Sequence, residues 1–354
     1  MVILQKKKRR QLQCRFLENK HFVNYDLPPA IVNLKLLFMK KQKIIARLIP
    51  SSIFVFLFFA CNSNSEKKEP DAIQPATHEL KSVFVNGDSL HYVEIGKGEP
   101  VIFIHGTLND YRAWEMQMDT FSKHYRVISY SRRYAYPNSQ VVNDTADYSV
   151  TIHAKDLAEF IKSLNLGPVH LVGHSYGAYT ALLTTMDHPE LVKTLTLGEP
   201  PVMPLLQSAS GGDNIVNDFM NRSIIPAAKE FKSGNNEKGI SMFIGGITGD
   251  TGFYFKLPPE VQSMMMANIP ELRGVALSKN SFPSVTCRDL NKINTPVLLL
   301  TGEKTALLFS AITDELNKCL PDKEKAVLPA ATHGLQFENP GDFNKIVLGF
   351  IDKH

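Results

Sequence analysis

Residues 169–187 read VHLVGHSYGAYTALLTTMD, and they are the most informative part of the sequence for the fold. The apolar run 169–172 predicts a buried strand, and the residues after the glycines predict a helix. Between them, GHSYG predicts a sharp strand-to-helix turn that carries Ser175, because Gly173 and Gly177 remove side chains that would collide there. The free N–H groups at the start of the helix favour negative charge beside this serine. We therefore expect Ser175 to be a nucleophile.

The rest of the chain alternates short apolar runs with helical patterns. The runs lie at residues 101–104, 127–128, 169–172, 195–197 and 297–300. Runs without polar alternation are typical of strands that are buried on both faces, as in a parallel sheet. The residues Asn86-Gly87-Asp88 predict a hairpin turn before the first of these runs. The predicted fold class is therefore an open α/β sheet with helices between the strands.

Residues 200–294 break this alternation. They contain two Gly-Gly pairs, several prolines, clustered aromatic residues and a run of methionines at 264–266, and they predict a largely helical insertion. We interpret the insertion as a cap over the site, with a second packing layer that does not touch ligand as the alternative. The expected core then consists of residues 80–199 and 295–354, with the helical cap of residues 200–294 between its two parts.

The first 60 residues are predicted to be a leader. Residues 48–60, LIPSSIFVFLFFA, form an uncharged run that is shorter than the roughly 20 residues of a spanning helix. Lysines and Arg47 precede this run, as in a secretory signal. We expect Met39 to be the true start, with a genuinely long n-region as the alternative.

The leader ends in Leu57-Phe58-Phe59-Ala60-Cys61, which resembles a bacterial lipobox. Cys61 is therefore the expected site of lipid attachment, and the polar residues 61–79 are expected to be a flexible tether. This predicts an extracytoplasmic lipoprotein that is anchored to a membrane through Cys61. A plain signal peptide or an uncleaved anchor is the alternative.

The net charge of +4 comes from the leader. Residues 1–60 carry twelve basic and two acidic side chains, so the remaining residues are mildly acidic. A body without a basic patch does not favour nucleic-acid binding. Four cysteines are too few for a disulfide scaffold, and whether Cys287 and Cys319 pair is left open.

A second motif, His105-Gly106-Thr107, directly follows the apolar run 101–104. Together with GHSYG it resembles the α/β-hydrolase superfamily over residues 80–354. The resemblance implies a mostly parallel eight-stranded sheet flanked by helices, with the cap inserted after strand 6. It also implies an oxyanion hole formed by the backbone N–H groups of Thr107 and Tyr176. His105 is expected to hold the loop by hydrogen bonds.

In this superfamily the chain order is nucleophile, acid, base. Only His333 and His354 occur after residue 200, and His354 is the last residue. We therefore expect His333 to take the proton of Ser175.

Two carboxylates are candidates for the acid. The superfamily's usual acid follows the strand 297–300, but there the chain reads TGEKT, with Thr305 where Asp is common. Glu199 directly follows the preceding strand, and one group of haloalkane dehalogenases in the superfamily carries its acid at this place. Glu199 is favoured to orient His333, and Glu303 is the alternative.

A serine at the nucleophile position implies acyl transfer through a serine ester, whereas the superfamily's dehalogenases and epoxide hydrolases attack with Asp. The expected function is hydrolysis of a carboxylic ester or related small acyl substrate. No cofactor or metal is expected, because no metal-ligand spacing or dinucleotide motif is found.

Lactone, thioester or C–C bond hydrolysis and aminopeptidase-type cleavage are alternatives. A non-catalytic ligand-binding lipoprotein, or a surface protein whose cap docks a partner, are alternatives of another class. The sequence does not indicate the oligomeric state.

Overall fold

The computed structural model describes residues 78–138 and 146–354, which belong to one compact unit of the chain. The predicted leader of residues 1–60, the predicted lipidation site Cys61 and nearly all of the tether 61–79 lie outside the described residues. None of the helices within the described ranges is long and apolar enough to cross a membrane.

A single eight-stranded sheet organises the described residues. Its strands are β1 (Lys81–Val85), β2 (Asp88–Ile95), β3 (Pro100–Ile104), β4 (Arg126–Tyr130), β5 (Val169–His174), β6 (Val192–Gly198), β7 (Val297–Gly302) and β8 (Lys323–Leu328). The spatial order is β1-β2-β4-β3-β5-β6-β7-β8. Strands β3 to β8 are parallel, and β2 pairs antiparallel with both β1 and β4. The predicted fold class is confirmed, and β1 and β2 form the predicted hairpin.

Helices connect the strands. They are α1 (Glu115–Phe121), α2 (Val150–Ser163), α3 (Tyr176–Asp187), α4 (Gly212–Phe219), α5 (Ile225–Lys232), α6 (Asn236–Thr248), α7 (Pro259–Ala267), α8 (Ile269–Leu277), α9 (Cys287–Leu290), α10 (Leu307–Cys319), α11 (Leu335–Glu338) and α12 (Pro340–Ile351). Helices α1 and α12 contribute to an apolar cluster on one face of the sheet, and α2, α3 and α10 contribute to the cluster on the other face.

Strand β3 shows why the apolar runs lack polar alternation. Val101 and Phe103 belong to the cluster with α1 and α12, whereas Ile102 and Ile104 belong to the cluster with α2 and α3. Successive side chains of a strand point to opposite faces, so a strand covered on both sides needs apolar residues at every position. Burial of one such side chain stabilises the fold by about 1.5 to 3 kcal/mol.

The chain between β6 and β7 is helical, and helices α4 to α9 lie there. These helices have an apolar cluster of their own, which includes Phe231, Ile240 and Leu272. Leu108, from the loop after β3, is buried in the same cluster. The inserted helices therefore pack against the loop at the carboxyl end of β3.

A disulfide joins Cys287 and Cys319, the pairing that the sequence leaves open. Cys287 begins α9, at the end of the inserted segment, and Cys319 ends α10 in the core. The bond therefore closes a loop of 32 residues that contains β7. A cross-link of this span stabilises a fold by about 3 to 4 kcal/mol, chiefly because it restricts the unfolded chain.

We expect Cys287→Ser combined with Cys319→Ser to lower the free energy of unfolding by about 3 kcal/mol, because the loop closure is lost. Urea unfolding of the oxidised protein and of the double variant measures the difference. Reductant should destabilise the native protein and leave the double variant unchanged. Equal midpoints in all four samples would show that the bond contributes no stability.

Candidate active site

Ser175 stands between β5 and α3 in a strained backbone conformation. Its φ is 52° and its ψ is −124°, a region that residues with a side chain rarely occupy. The backbone N–H of Ser175 donates a hydrogen bond of 2.7 Å to the carbonyl oxygen of Gly198 at the end of β6. This bond holds the turn against the neighbouring strand, so the sharp turn predicted from the sequence is present.

The glycines around Ser175 allow close backbone contacts. A Cβ atom on Gly177 would collide with the carbonyl oxygens of Ile104 and His105, and one on Gly173 would lie 2.5 Å from Cα of Ala178. The elbow and the loop after β3 therefore pack backbone to backbone, which only glycine permits.

The loop after β3 lies directly beside Ser175. A Cβ atom on Gly106 would be 3.1 Å from Cβ of Ser175, and Thr107 is the next residue. Tyr176 is the first residue of α3, where backbone N–H groups have no partner within the helix. The two residues predicted for the oxyanion hole thus lie on the two backbone segments that meet at Ser175.

His333 and Glu199 are hydrogen bonded. The Nδ1 atom of His333 lies 2.6 Å from Oε2 of Glu199, and the Glu199 side chain is fully buried. Oε2 also accepts from the hydroxyl of Thr305 at 2.8 Å. Oε1 accepts from the hydroxyl of Thr301 at 3.0 Å and from the backbone N–H of Gly302 at 2.8 Å. Four donors therefore satisfy the buried carboxylate, and these hydrogen bonds offset the free-energy cost of burying a charge.

Glu303, the alternative acid, has a different partner. Its Oε2 accepts a hydrogen bond of 2.7 Å from the backbone N–H of Ala330, whose φ is 57°. Glu303 therefore supports the turn that precedes the His333 loop, while Glu199 faces the His333 ring. The loop after β7 contributes the hydroxyl of Thr305 to the site. In the sequence, Thr305 stands out only as the residue at the place where an acid is common. The signal was available in the hydroxyl, which can donate to a carboxylate on the next strand.

His174 is hydrogen bonded to the backbone of the loop that carries His333. Its Nε2 lies 2.7 Å from the carbonyl oxygen of His333, so this nitrogen carries the proton and donates it. Burial, and then the nearby His333, lower the pKa of His174 to about 3. His174 is therefore a neutral hydrogen-bond donor at physiological pH, and it connects the residue before Ser175 to the backbone of His333.

Phe309 covers the His333 ring. The two ring centroids are 3.8 Å apart and the planes are inclined by 16°. Phe309 lies in the first turn of α10, four residues after Thr305, which binds Glu199. No pattern in the sequence singled out this residue, because nothing local distinguishes it from a core phenylalanine.

Arg132 connects the loop after β3 to the inserted helices. Its backbone N–H donates to Nε2 of His105 at 2.9 Å, and its Nε donates to the carbonyl oxygen of His105 at 3.1 Å. Its Nη2 donates to Oε2 of Glu271 on α8 at 2.7 Å, and both side chains are fully buried. The guanidinium lies 5.0 Å from the ring centroid of Tyr176. His105 has the structural role expected from the sequence, and its partner Arg132 was not foreseen.

The charges of this link are strongly affected by burial. Burial raises the pKa of Glu271 to about 7, and Arg132 acts in the opposite direction. Burial lowers the pKa of His105 well below its ordinary value, so His105 is neutral. Loss of one partner of such a buried ion pair typically costs about 3 to 5 kcal/mol. Residues 78–138 and 146–354 contain no cluster of three or more His, Cys, Asp or Glu side chains suited to a metal ion.

We expect the stability that His174 contributes to fall as the pH falls from 7 to 5. The unfolded chain binds a proton at this residue below about pH 6.5, whereas folded His174 stays neutral. The free energy of unfolding of the native protein should therefore fall by about 2 kcal/mol more than that of His174→Gln. Urea unfolding at both pH values measures this, with His124→Gln, an exposed position, as the control. Parallel pH curves for the native protein and His174→Gln would contradict it.

The comparisons with known proteins agree with this architecture. The sequence profile of the alpha/beta hydrolase fold matches residues 99–233. The (E)-2-((N-methylformamido)methylene)succinate hydrolase of Acinetobacter baylyi is 36% identical over 117 residues, which cover 32% of this chain and 41% of that protein. Epoxide hydrolase 3 of Mus musculus is 24% identical over 282 residues, which cover 75% of this chain and 74% of that protein.

A solved structure shows the same fold. A carboxylesterase from Bacillus subtilis superposes with a TM-score of 0.61 at 21% identity, covering 79% of this chain and 93% of that chain. The sheet order, the matched profile and the curated relatives all lead to one assignment. The chain has the α/β-hydrolase fold, and its named relatives support a hydrolase.

Proposed function

We propose that the chain is a serine hydrolase of carboxylic esters, in which Ser175 is the nucleophile, His333 the base and Glu199 the acid. The observation that carries the proposal is the hydrogen bond between Nδ1 of His333 and the buried carboxylate of Glu199. With Nδ1 donating to Glu199, Nε2 of His333 is left as the basic nitrogen.

The proposed reaction has two steps, acylation of Ser175 and hydrolysis of the acyl-enzyme. In the first, Oγ of Ser175 bonds to the ester carbonyl carbon while its proton moves to Nε2 of His333, and the alcohol leaves with that proton. In the second, a water molecule attacks the acyl-enzyme, gives a proton to Nε2, and Ser175 regains it as the carboxylic acid leaves. Glu199 stabilises the imidazolium that forms in both steps, because its negative charge is fixed and buried next to Nδ1.

The tetrahedral intermediate carries negative charge on the former carbonyl oxygen. The backbone N–H groups of Thr107 and Tyr176 are the proposed donors to this oxygen, because both belong to segments that pack at Ser175. Removal of one such donor typically costs about 3 kcal/mol of transition-state stabilisation. His105 and Arg132 support this arrangement by holding the loop that carries Thr107.

The named relatives act on different classes of substrate, and the type of nucleophile narrows the choice among these classes. One relative is named an epoxide hydrolase, another a succinate hydrolase, and the structural neighbour a carboxylesterase. A serine nucleophile favours acyl substrates over epoxides, since the superfamily's epoxide hydrolases attack with Asp. Lactones, thioesters, C–C bonds and peptides remain alternatives on the same residues, and a ligand-binding role without turnover is the alternative of another class.

We expect a fluorophosphonate to label the native protein stoichiometrically at Ser175, because a serine activated by a base attacks phosphorus. Peptide mapping by mass spectrometry locates the adduct. Ser175→Ala should abolish labelling, and His333→Ala should slow it at least a hundredfold. A folded protein that takes no label would overturn the proposal and favour the binding role. A positive result justifies a screen of esters and lactones.

The same assay separates the two acids. Glu199→Gln should slow labelling and lower kcat for any ester found in the screen by about a hundredfold or more, because the amide cannot stabilise the imidazolium. Glu303→Gln is the matched control and should stay near the native rate, since Glu303 bonds to the backbone of Ala330. The reverse pattern would move the acid to Glu303.

We also propose that the protein is exported and anchored through lipid on Cys61. Support comes from the lipobox-like residues 57–61 and from the disulfide between Cys287 and Cys319, a bond that persists in oxidising compartments. Intact mass analysis of the membrane-derived protein should show a chain that begins at Cys61 and carries added acyl mass. A free N-terminus at another residue would refute the anchor and leave the proposed reaction untouched.

A further inference from the structure

The ring of Phe309 lies flat on the ring of His333. The centroids are 3.8 Å apart and the planes differ by only 16°. Phe309 is 2% exposed, and its backbone N–H bonds to the carbonyl oxygen of Ala306 at the start of α10. The aromatic ring is therefore held in place by its own element and covers one side of the imidazole.

This arrangement differs from the other aromatic contacts of Phe309. Its contact with Phe219 on α4 is edge-to-face, with centroids 6.3 Å apart and planes inclined by 70°. Aromatic pairs prefer edge-to-face or offset-stacked arrangements with centroids about 4.5 to 7 Å apart, and the rings of Phe309 and His333 are closer than this range. In the contact with His333, the face of the Phe309 ring, which carries the negative part of its quadrupole, is turned to a ring that can become cationic.

We propose that Phe309 is a positioning residue for His333, which keeps the imidazole in the plane that Glu199 orients and stabilises the imidazolium by cation–π attraction. The proposal rests on the proposed function, because it assigns Phe309 a role in the proton transfers of His333. It adds a residue from α10 to the three that supply the nucleophile, base and acid.

The hydrogen bond to Glu199 alone does not fix the ring. One bond at Nδ1 restrains the position of that nitrogen, while the ring can still tilt about the bond. A flat surface at van der Waals distance removes this tilt, so Nε2 keeps one direction. The loop that leads into α10 also carries Thr305, which donates to Glu199, so one segment restrains both the acid and the base.

Other titratable groups surround His333 and stay unchanged in the test below. Glu199 bonds to its Nδ1, and His174 on β5 bonds to its carbonyl oxygen. Glu338 on α11 accepts from the backbone N–H and the hydroxyl of Thr332. From the loop after β7, Glu303 and Lys304 bond to the backbone before His333. A change of the pKa of His333 caused by substitution of Phe309 therefore reports on the aromatic ring itself.

The experiment replaces Phe309 in the full-length protein by phenylalanines with one and with three ring fluorines, and separately by Leu. Fluorination weakens the quadrupole and keeps the shape of the ring almost unchanged. The pKa of His333 is read from NMR titration of ¹³C-labelled histidine, with His333→Gln as the assignment control. We expect the pKa to fall stepwise with fluorination, by about 0.5 to 1 pH unit in total, and Phe309→Leu to lower it at least as much.

The fluorinated series should also lower kcat about three- to tenfold, in step with the pKa of His333, while KM stays near the native value. Phe121→Leu, a buried ring on the other face of the sheet, is the control for general loss of packing and should leave the pKa of His333 unchanged. A pKa of His333 that is the same in all fluorinated proteins would overturn the cation–π role and reduce Phe309 to a packing residue.

The NMR measurement does not depend on turnover. If Ser175 fails to react with fluorophosphonate but the pKa of His333 follows the fluorine content, the contact between Phe309 and His333 is verified and the proposed function is wrong. If Ser175 reacts and the pKa stays constant, the proposed function stands and the role of Phe309 is refuted. Repeating the titration in Ser175→Ala should give the same dependence on fluorination.

Discussion

The buried carboxylate of Glu199 is the interaction on which the arrangement of the site depends. A negative charge in the protein interior must be fully hydrogen bonded, and here the donors come from three places in the chain. Satisfying Glu199 therefore brings the end of β7, the start of α10 and the loop with His333 to the end of β6. Because parallel strands end at the same edge of a sheet, β3 and β5 bring the loop with Thr107 and the turn with Ser175 to this edge as well.

A second buried charge pair couples the inserted helices to the core. Arg132 follows β4 and binds both the loop after β3 and Glu271 on α8. A fully buried ion pair adds little net stability, because removing both charges from water costs free energy. It favours one arrangement of the two segments, because only the matching partner offsets the desolvation of each charge. The apolar packing of Leu108 among the inserted helices holds the same loop from its other end. The position of Thr107 thus depends on the core and on the insertion together.

The carboxylate that binds His333 lies at the end of β6, whereas the superfamily's usual acid follows the next strand. The loop after β7 keeps its place beside His333, but it provides the hydroxyl of Thr305 where an acid is common. The two positions are equivalent for His333 because β6 and β7 are adjacent and parallel, so either strand end can reach Nδ1. A carboxylate from a different position in the chain therefore occupies the place beside His333.

Features that depend on neighbouring residues or on chain order could be predicted from the amino-acid sequence. The strand, the turn and the helix at 169–187 follow from an apolar run and two glycines, and His333 follows from its order after Ser175. The packing of the folded chain was needed to show which carboxylate binds His333, whether the cysteines pair, and what Phe309 and Arg132 contact. These contacts join residues that are far apart in the chain, 134 positions for Glu199 and His333 and 139 for Arg132 and Glu271. No local sequence pattern predicts such contacts, because they arise from the packing of whole strands and helices.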